Sequence, residues 1–393
     1  MSILELAQVI GLIISYSNAN DYGAMHYRNL EKQKIALLQI HRGNFSARGT
    51  LSLASRAELQ YWIDFAPTVY KTISHGNPSW TLSTDASKNG WGAYNADSQK
   101  RTHGFWSAEE LSWSINAKEL KAAFLGLQAL GGHLTNTHVL ILSDNVTTVA
   151  YINNMGGVKS TQCDLIACDL WNWCIARQVW ISATHIPGRC NVEADRESRK
   201  SDQDKEWALH EGVFDTLASM WGKPDIDLFA SRINNKVPVY VSWKPDPSAV
   251  HINAFTMSWS SKLNYIFPPF SLIGRILQKV SDDQAECLLI VPMWPTAAWF
   301  SLIPPLLLDL PVLLPRMQNL LTKGRELHPL RQRLVLIACR LSGNPYRTAK
   351  FRRELKTLSW APGGKTQRAN ITVIFADGQN FVHNDLSIPF LRL

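Results

Sequence analysis

Cysteine is scarce in this chain, and no two cysteines stand in a C-x-x-C spacing. Six cysteines in 393 residues are too few and too irregularly spaced for the disulfide framework of a secreted protein. The missing pairs also argue against a structural zinc site. We therefore expect an intracellular protein, in the cytoplasm or the nucleus, that is not secreted.

Long uninterrupted apolar runs are also missing. The most apolar stretch, residues 288–315, contains six prolines and Asp309, and a lipid-embedded helix could not satisfy its backbone with that many prolines. The N-terminus lacks the basic segment of a signal peptide, and Glu5 interrupts its start. The sequence predicts no membrane span, while 46% apolar residues suffice for a buried core.

Positive charge is concentrated at one end of the chain. Residues 316–393 hold 14 Lys/Arg and 4 Asp/Glu, a local net charge of +10, so the remainder of a chain whose total is +8 carries −2. The cations are densest in a run formed by Arg347, Lys350, Arg352, Arg353 and Lys356. Such a basic C-terminal region can bind nucleic-acid phosphates by releasing counterions, although a solvated helix face would have the same composition.

The hydrophobic pattern divides the chain into regions of different type. Residues 1–75 indicate helices with polar breaks, and the pattern from Trp80 to Arg199 predicts the order β-β-β-α-β-α-α-β-α. Asn89-Gly90 is typical of a hairpin turn, and Asn145 is a candidate helix N-cap. After about residue 210, segments such as DLFAS and CLLIVP predict strands of a second α/β unit.

Acidic residues stand at positions in this pattern where packing alone would not place them. Asp85 and Asp144 close apolar strands, Glu119 lies beside the apolar stripe of a helix, and Asp195 opens a later helix. A single Asp after a strand is typical of a turn or a helix N-cap. Together, such carboxylates would repel one another unless a hard divalent cation such as Mg²⁺ compensates them. Two metal ions about 3.5–4 Å apart would support phosphoryl transfer.

These four acids, with this order of strands and helices, resemble the D-E-D-D set of the ribonuclease H family. The segment HIPGRCNVEADRESR (185–199) is similar to the closing motif of that family. The resemblance implies an α/β fold with a mixed five-stranded sheet, and hydrolysis of the RNA strand of RNA–DNA hybrids with two Mg²⁺ ions, or Mn²⁺ in their place. It covers about 120 residues.

The resemblance also implies roles for individual residues. Asp85, Glu119, Asp144 and Asp195 would be the catalytic metal ligands, and His185, on a loop beside the site, would assist proton transfer or product departure. Asn191 would contact the substrate backbone or order the loop. Polar side chains at the strand ends would touch phosphates or 2′-hydroxyls, or simply satisfy turns; these are Ser83, Ser87 and Asn145.

Several motifs, INAKELKA and LSDNVTTVAYINNMGG among them, resemble those of the RNase H domain in retroelement reverse transcriptases. The downstream segments resemble those of DIRS-type retrotransposons. No Tyr-x-Asp-Asp polymerase turn occurs, so the chain looks like the C-terminal part of such a polyprotein without its palm. We expect a helical remnant at 1–75, an RNase H-like domain at 76–205, a Rossmann-like α/β domain at 220–315 and a basic region at 316–393.

The domain at 220–315 resembles adenine-N6 DNA methyltransferases. Active enzymes of that type present an Asn or Asp before Pro-Pro-aromatic, where this chain has Phe267, followed by Pro268-Pro269-Phe270, and no glycine-rich loop follows Asp227. A phenyl ring accepts no hydrogen bond from an amino group, so we expect the domain to be inactive. Three functions remain under consideration: a hybrid-specific nuclease, a nucleic-acid-binding remnant without catalysis, and a DNA methyltransferase.

Overall fold

The computed structural model of the protein describes residues 1–17, 19–65, 70–200, 207–323, 326–355, 380–383 and 386–393. The chain divides into two compact units, residues 1–200 and 201–393. The finer domain boundaries given above stay a prediction. Much of the basic C-terminal region, including Lys356 of its densest run, falls outside the described residues.

The first unit contains seven helices and five strands among its described residues. The helices are α1 (Ile3–Ser17), α2 (Arg28–Ile40), α3 (Leu53–Phe65), α4 (Ile115–Gly131), α5 (Val146–Asn153), α6 (Thr161–Ile175) and α7 (Val192–Ser198). The strands are β1 (Trp80–Ala86), β2 (Gly90–Asn95), β3 (Arg101–Phe105), β4 (His138–Ser143) and β5 (Trp180–His185).

The five strands form one mixed sheet in the order β3-β2-β1-β4-β5. Strands β1, β2 and β3 are antiparallel neighbours, whereas β1, β4 and β5 run parallel. The predicted order β-β-β-α-β-α-α-β-α is confirmed from residue 80 to residue 198. So is the predicted fold class, an RNase H-like mixed five-stranded sheet with helices.

Helix α4 packs its apolar stripe against this sheet. The predicted stripe of Leu120, Phe124, Leu127 and Leu130 is buried, with at most 7% of any of these side chains exposed. Gly126 lets the helix approach closely, because a Cβ there would lie 2.7 Å from Ala93 Cβ on β2. The packing fixes α4, and with it the residues of its first turns, over β1.

The N-terminal helices form a small core of their own around Leu6, Ile10, Leu30 and Trp62. Helix α2 is capped by a residue of α3: Glu58 accepts hydrogen bonds from the backbone N–H groups of Asn29 and Leu30, both at 2.9 Å. N–H groups in the first turn of a helix have no partner within the helix, and the helix dipole makes a carboxylate favourable there. The N-terminus of α2 is therefore stabilised by a contact between residues that are distant in the sequence.

The N-terminal helices and the segment that follows them are joined to the sheet domain by polar and aromatic contacts. Lys32 of α2 forms an ion pair with Asp164 of α6, whose side chain is 6% exposed. Arg28 donates to the backbone oxygen of Asn154 at 2.8 Å, and His75 stacks on Trp180 with ring centroids 3.5 Å apart. The helices and the sheet therefore belong to one unit.

The described residues of the second unit contain three helices and thirteen short strands. The helices are α8 (Glu211–Trp221), α9 (Ile273–Asp282) and α10 (Pro345–Glu354). The strands are β6 (Ala208–Leu209), β7 (Ile226–Asp227), β8 (Val241–Ser242), β9 (His251–Ile252), β10 (Leu263–Ile266), β11 (Glu286–Pro292), β12 (Val312–Leu313), β13 (Leu321–Lys323), β14 (Glu326–Leu327), β15 (Leu336–Ser342), β16 (Asn380–His383), β17 (Leu386–Pro389) and β18 (Leu391–Arg392).

The main sheet of this unit has the order β18-β12-β15-β11-β10-β7. Strands β7, β10 and β11 are parallel, and β15 runs antiparallel to β11. The predicted strand CLLIVP is confirmed as part of β11, whereas most of DLFAS is not a strand: only Asp227 belongs to β7. Asp227 accepts hydrogen bonds from the N–H groups of Phe229 and Lys236, which turns the chain away from the sheet.

Asp227 gives the second unit a pH-dependent stability. Burial raises the pKa of this carboxyl to about 7, so between about pH 4 and pH 7 the folded state binds more protons than the unfolded state, and the free energy of unfolding falls as the pH rises. Asp227→Asn cannot titrate, so its stability relative to wild type should rise by about 2 kcal/mol from pH 5 to pH 8, even though its amide can accept only one of the two backbone hydrogen bonds.

Urea unfolding of both proteins at the two pH values measures this difference. Asp215→Asn, which replaces an exposed acid of α8, is the matched control and should show no such pH dependence. Equal stability differences between Asp227→Asn and wild type at pH 5 and pH 8 would contradict the prediction.

The described helices include none that combines the length and the apolar character needed to cross a membrane.

Candidate metal centre

The two strand-end acids meet at one edge of the first sheet. In the parallel pair β1–β4, Ser83 lies opposite Leu142, and the same offset aligns Asp85 with Asp144, which directly follows β4. Because the carboxyl ends of parallel strands lie at the same edge of a sheet, the inner strands β1 and β4 hold both carboxylates next to each other at that edge. Asp85 is 6% exposed, and Asp144 is half-buried.

Glu119 reaches this edge from α4. It is 5% exposed, and a hydrogen bond from the backbone N–H of Ala86 lowers the energy of its ionised form. Within the described residues, its other oxygen, Oε2, is buried without a hydrogen-bond partner. Each of Asp85, Glu119 and Asp144 offers one carboxylate oxygen, and these three oxygens lie within 4.8 Å of one another. We call these residues the three-acid centre.

The electrostatics of the three-acid centre penalise negative charge. Burial, and then the charges of Asp85 and Asp144, raise the pKa of Glu119 to about 9. Burial also raises the pKa of Asp85, and a hydrogen bond from Ser198 opposes that shift. Without a cation, Glu119 therefore carries a proton at neutral pH. Three hard oxygen ligands with one buried unpaired oxygen are a donor set suited to Mg²⁺ or Mn²⁺.

The structure does not place Asp195 among the three acids that share this centre in the described chain. Asp195 lies in the first turn of α7, as predicted, and its side chain is 41% exposed. Both Nε and Nη2 of Arg199 donate to its Oδ1, at 2.8 and 2.5 Å. The charge of Asp195 still contributes to the raised pKa of Asp85 and of Glu119, so Asp195 lies close enough to act on both carboxyl groups electrostatically. Its role as a ligand stays a prediction.

His185 and Asn191 differ in their surroundings. His185 is the last residue of β5, opposite Ser143, and not part of a loop as the sequence suggested; it is exposed. Asn191 is 2% exposed and donates from Nδ2 to the backbone oxygen of Thr84 at 2.9 Å. This contact orders the segment before α7, which is one of the two predicted roles. Contact of Asn191 with substrate stays a prediction.

Two of the polar residues at the strand ends, Ser87 and Asn145, serve local structure. Ser87 Oγ lies 3.1 Å from the backbone oxygen of Gly90 and 2.7 Å from that of Ser198. Asn145 is the N-cap of α5, as predicted, and accepts from the N–H of Thr148 at 2.9 Å. Their contact with substrate stays a prediction, as it does for Ser83 on β1.

Sequence reasoning missed the residues that hold α7 in place. Ser198 donates to Asp85, and the buried Glu197 lies 3.1 Å from Nδ1 of His103 on β3. Gly92 on β2 permits the close packing of this helix, because a Cβ there would lie 2.3 Å from the nitrogen of Ser198. The one available signal was the spacing of Asp195 and Ser198, which places both on one face of a helix.

Comparisons with known proteins find similar solved structures at low sequence identity. No known protein family and no curated protein sequence matches the chain. The chain is similar to LC11-RNase H1, solved in complex with RNA/DNA hybrid, at 20% identity over 30% of this chain and 92% of that chain, with a TM-score of 0.26. The RNase H1 of the halophilic archaeon Halobacterium salinarum is 14% identical, over 30% of this chain and 92% of its own, with a TM-score of 0.24.

A viral protein is also among the similar structures. The foamy viral protease-reverse transcriptase, in complex with RNA/DNA hybrid, is 12% identical over 41% of this chain and 28% of that chain, with a TM-score of 0.24. The fold assignment itself comes from the strand order and the pairing of the five-stranded sheet described above.

Proposed function

We propose that the first unit is a metal-dependent endonuclease that hydrolyses the RNA strand of RNA–DNA hybrids. The observation that carries this proposal is the three-acid centre, in which a buried oxygen of Glu119 has no partner among the described residues. A buried oxygen without a partner is unfavourable, and a bound cation would supply both that partner and the positive charge that allows Glu119 to ionise.

Asp85, Glu119 and Asp144 would hold two Mg²⁺ ions, or Mn²⁺ in their place, and Asp195 would complete the ligand set from α7. When bound, such ions lower the pKa of water and stabilise developing negative charge in phosphoryl transfer. Arg199 must then release the carboxylate of Asp195, which an exposed ion pair permits because it contributes little free energy.

The remaining residues orient this centre. The exposed His185, at the end of β5, is placed to exchange protons with solvent during product departure. Gly188 lies over Asp144, since a Cβ there would approach Oδ2 to 3.0 Å, and the missing side chain leaves that oxygen accessible. Asn191 holds the end of β1 through Thr84, so the backbone around Asp85 is fixed before substrate binds.

Binding of the hybrid would also use the basic C-terminal region. Within its described part, Arg347, Lys350 and Arg353 are exposed on one face of α10, at the i, i+3 and i+6 spacing of neighbours on a helix. Arg347 forms an ion pair with Glu286, which leaves Lys350 and Arg353 as the stronger candidates for phosphate contacts.

The proposal includes the origin suggested by the motifs. The chain would be the C-terminal part of a DIRS-type retrotransposon reverse transcriptase polyprotein that lacks its palm. Its second unit would be a methyltransferase-like domain without activity. The half-buried Phe267, with its ring centroid 6.5 Å from that of Phe270, supplies packing and no acceptor for an amino group.

Cleavage of labelled substrates tests the proposed activity. The full chain should cut the RNA strand of a labelled RNA–DNA hybrid in Mg²⁺ or Mn²⁺, should leave duplex DNA intact, and should be inactive in EDTA. Cutting that survives EDTA would reject the metal-dependent mechanism. Tight binding of the hybrid with no cleavage in either metal would favour the alternative function, a nucleic-acid-binding remnant.

A further inference from the structure

A hydroxyl group contacts the three-acid centre from α7. Ser198, the last residue of that helix, is 2% exposed. Its Oγ lies 2.5 Å from Oδ2 of Asp85 and 2.9 Å from the backbone oxygen of Asp195. A hydroxyl has one proton to donate, and a carboxylate takes it in preference to a carbonyl because charge-assisted hydrogen bonds are shorter and stronger. Ser198 therefore donates to Asp85.

The position of this hydroxyl is fixed by the surrounding backbone. The nitrogen of Ser198 lies against Gly92, where no side chain intervenes, and its backbone oxygen lies 2.7 Å from Ser87 Oγ. The preceding residue, Glu197, is 1% exposed and is paired with His103 and with Lys200. The end of α7 is thus held against β1, β2 and β3, and the donor stays at one place relative to Asp85.

We infer that Ser198 is a positioning residue, which fixes the rotation of the Asp85 carboxylate so that one oxygen is held and the other is left for a cation. This inference rests on the proposed metal centre. Carboxylates that bind metals are themselves held by hydrogen bonds, and loss of such a partner typically weakens metal affinity roughly 10–100-fold. The role differs from that of a ligand, because Ser198 acts on the cation only through Asp85.

A matched pair of substitutions isolates the hydroxyl. Ser198→Thr and Ser198→Val have side chains of the same shape and differ only in the donor, so any steric effect of the added methyl group cancels between them. Mn²⁺ binding to the full chain is measured by isothermal titration calorimetry, without substrate. We expect Ser198→Val and Ser198→Ala to bind Mn²⁺ roughly 10–100-fold more weakly than wild type, and Ser198→Thr to restore most of the affinity.

A control separates positioning from simple loss of stability. Ser114→Ala removes the N-cap hydroxyl of α4, the helix that carries Glu119, and this hydroxyl accepts from the N–H of Ala117. It destabilises a helix of the centre without touching an acid, so Mn²⁺ affinity should stay at the wild-type value. Equal affinities for Ser198→Thr and Ser198→Val, or a loss in Ser114→Ala as large as in Ser198→Ala, would overturn the inference.

The outcome also distinguishes this inference from the proposed function. If wild type binds Mn²⁺ and cuts the hybrid while all Ser198 variants bind Mn²⁺ as wild type does, the positioning role fails and the nuclease stands. If wild type and Asp85→Asn bind Mn²⁺ equally, the metal centre itself is absent and both ideas fail.

Discussion

Asp85→Asn is expected to reduce Mg²⁺-dependent cleavage of an RNA–DNA hybrid roughly a thousandfold, because it removes a charged ligand from the three-acid centre without changing the size of the side chain. Asp144→Asn should have a similar effect, since its carboxylate lies at the end of the neighbouring strand. Initial rates on a labelled hybrid, at saturating Mg²⁺, measure both variants against wild type.

The structure predicts that neither variant unfolds. After burial, the charge of Asp144 helps to raise the pKa of Asp85, so removing either of these two charges relieves a repulsion, and the unfolding temperature without metal should not fall. Asp169→Asn, at an exposed position of α6, is the matched control and should cut at the wild-type rate. Full activity of Asp85→Asn would refute the assigned site.

Mn²⁺ is expected to raise the unfolding temperature of the wild-type chain, and to raise it more at pH 8 than at pH 6. The pKa of Glu119 is about 9 without metal, so binding of a cation to its carboxylate must release a proton. The apparent affinity then rises with pH, by up to about tenfold per pH unit for one proton, until the pH approaches that pKa. At a free concentration of 100 times Kd, stabilisation should reach about 2.7 kcal/mol.

Glu119→Gln provides the comparison for this effect. The amide cannot ionise, so most of the stabilisation by Mn²⁺ and its dependence on pH should disappear, while the stability at pH 7 without metal should change little. Thermal unfolding of both proteins at pH 6 and pH 8, with and without Mn²⁺, measures the difference. The same response to Mn²⁺ in Glu119→Gln and in wild type would contradict a ligand role for Glu119.

The sequence predicted those parts of the fold that follow from local pattern. The two strands at residues 80–95, the Asn89-Gly90 turn between them and the apolar stripe of α4 each depend on near neighbours in the chain, and each is confirmed. Asp85 and Asp144 could be identified because each stands at the end of an apolar strand that the pattern had already indicated.

Other features could not be predicted because they depend on distant contacts. Helix α2 has one fully buried residue, Leu30, and its first turn is capped by Glu58 from another helix. Ser198 contacts an acid 113 residues earlier in the chain, and the spacing of Ser198 from Asp195 indicates a shared helix face but not this partner. The motif alone likewise does not show whether Asp195 pairs with Arg199 or joins the other three acids.

The contacts of residues 1–75 with the sheet domain matter for the choice of where to cut the chain into fragments. A fragment cut at residue 76, as similarity to ribonuclease H alone would suggest, would lose the lysine that neutralises Asp164 and the imidazole ring that covers Trp180. It would expose indole surface and leave a carboxylate uncompensated at the start of α6. Poor solubility of such a fragment would therefore report a badly chosen cut site and not a defective nuclease.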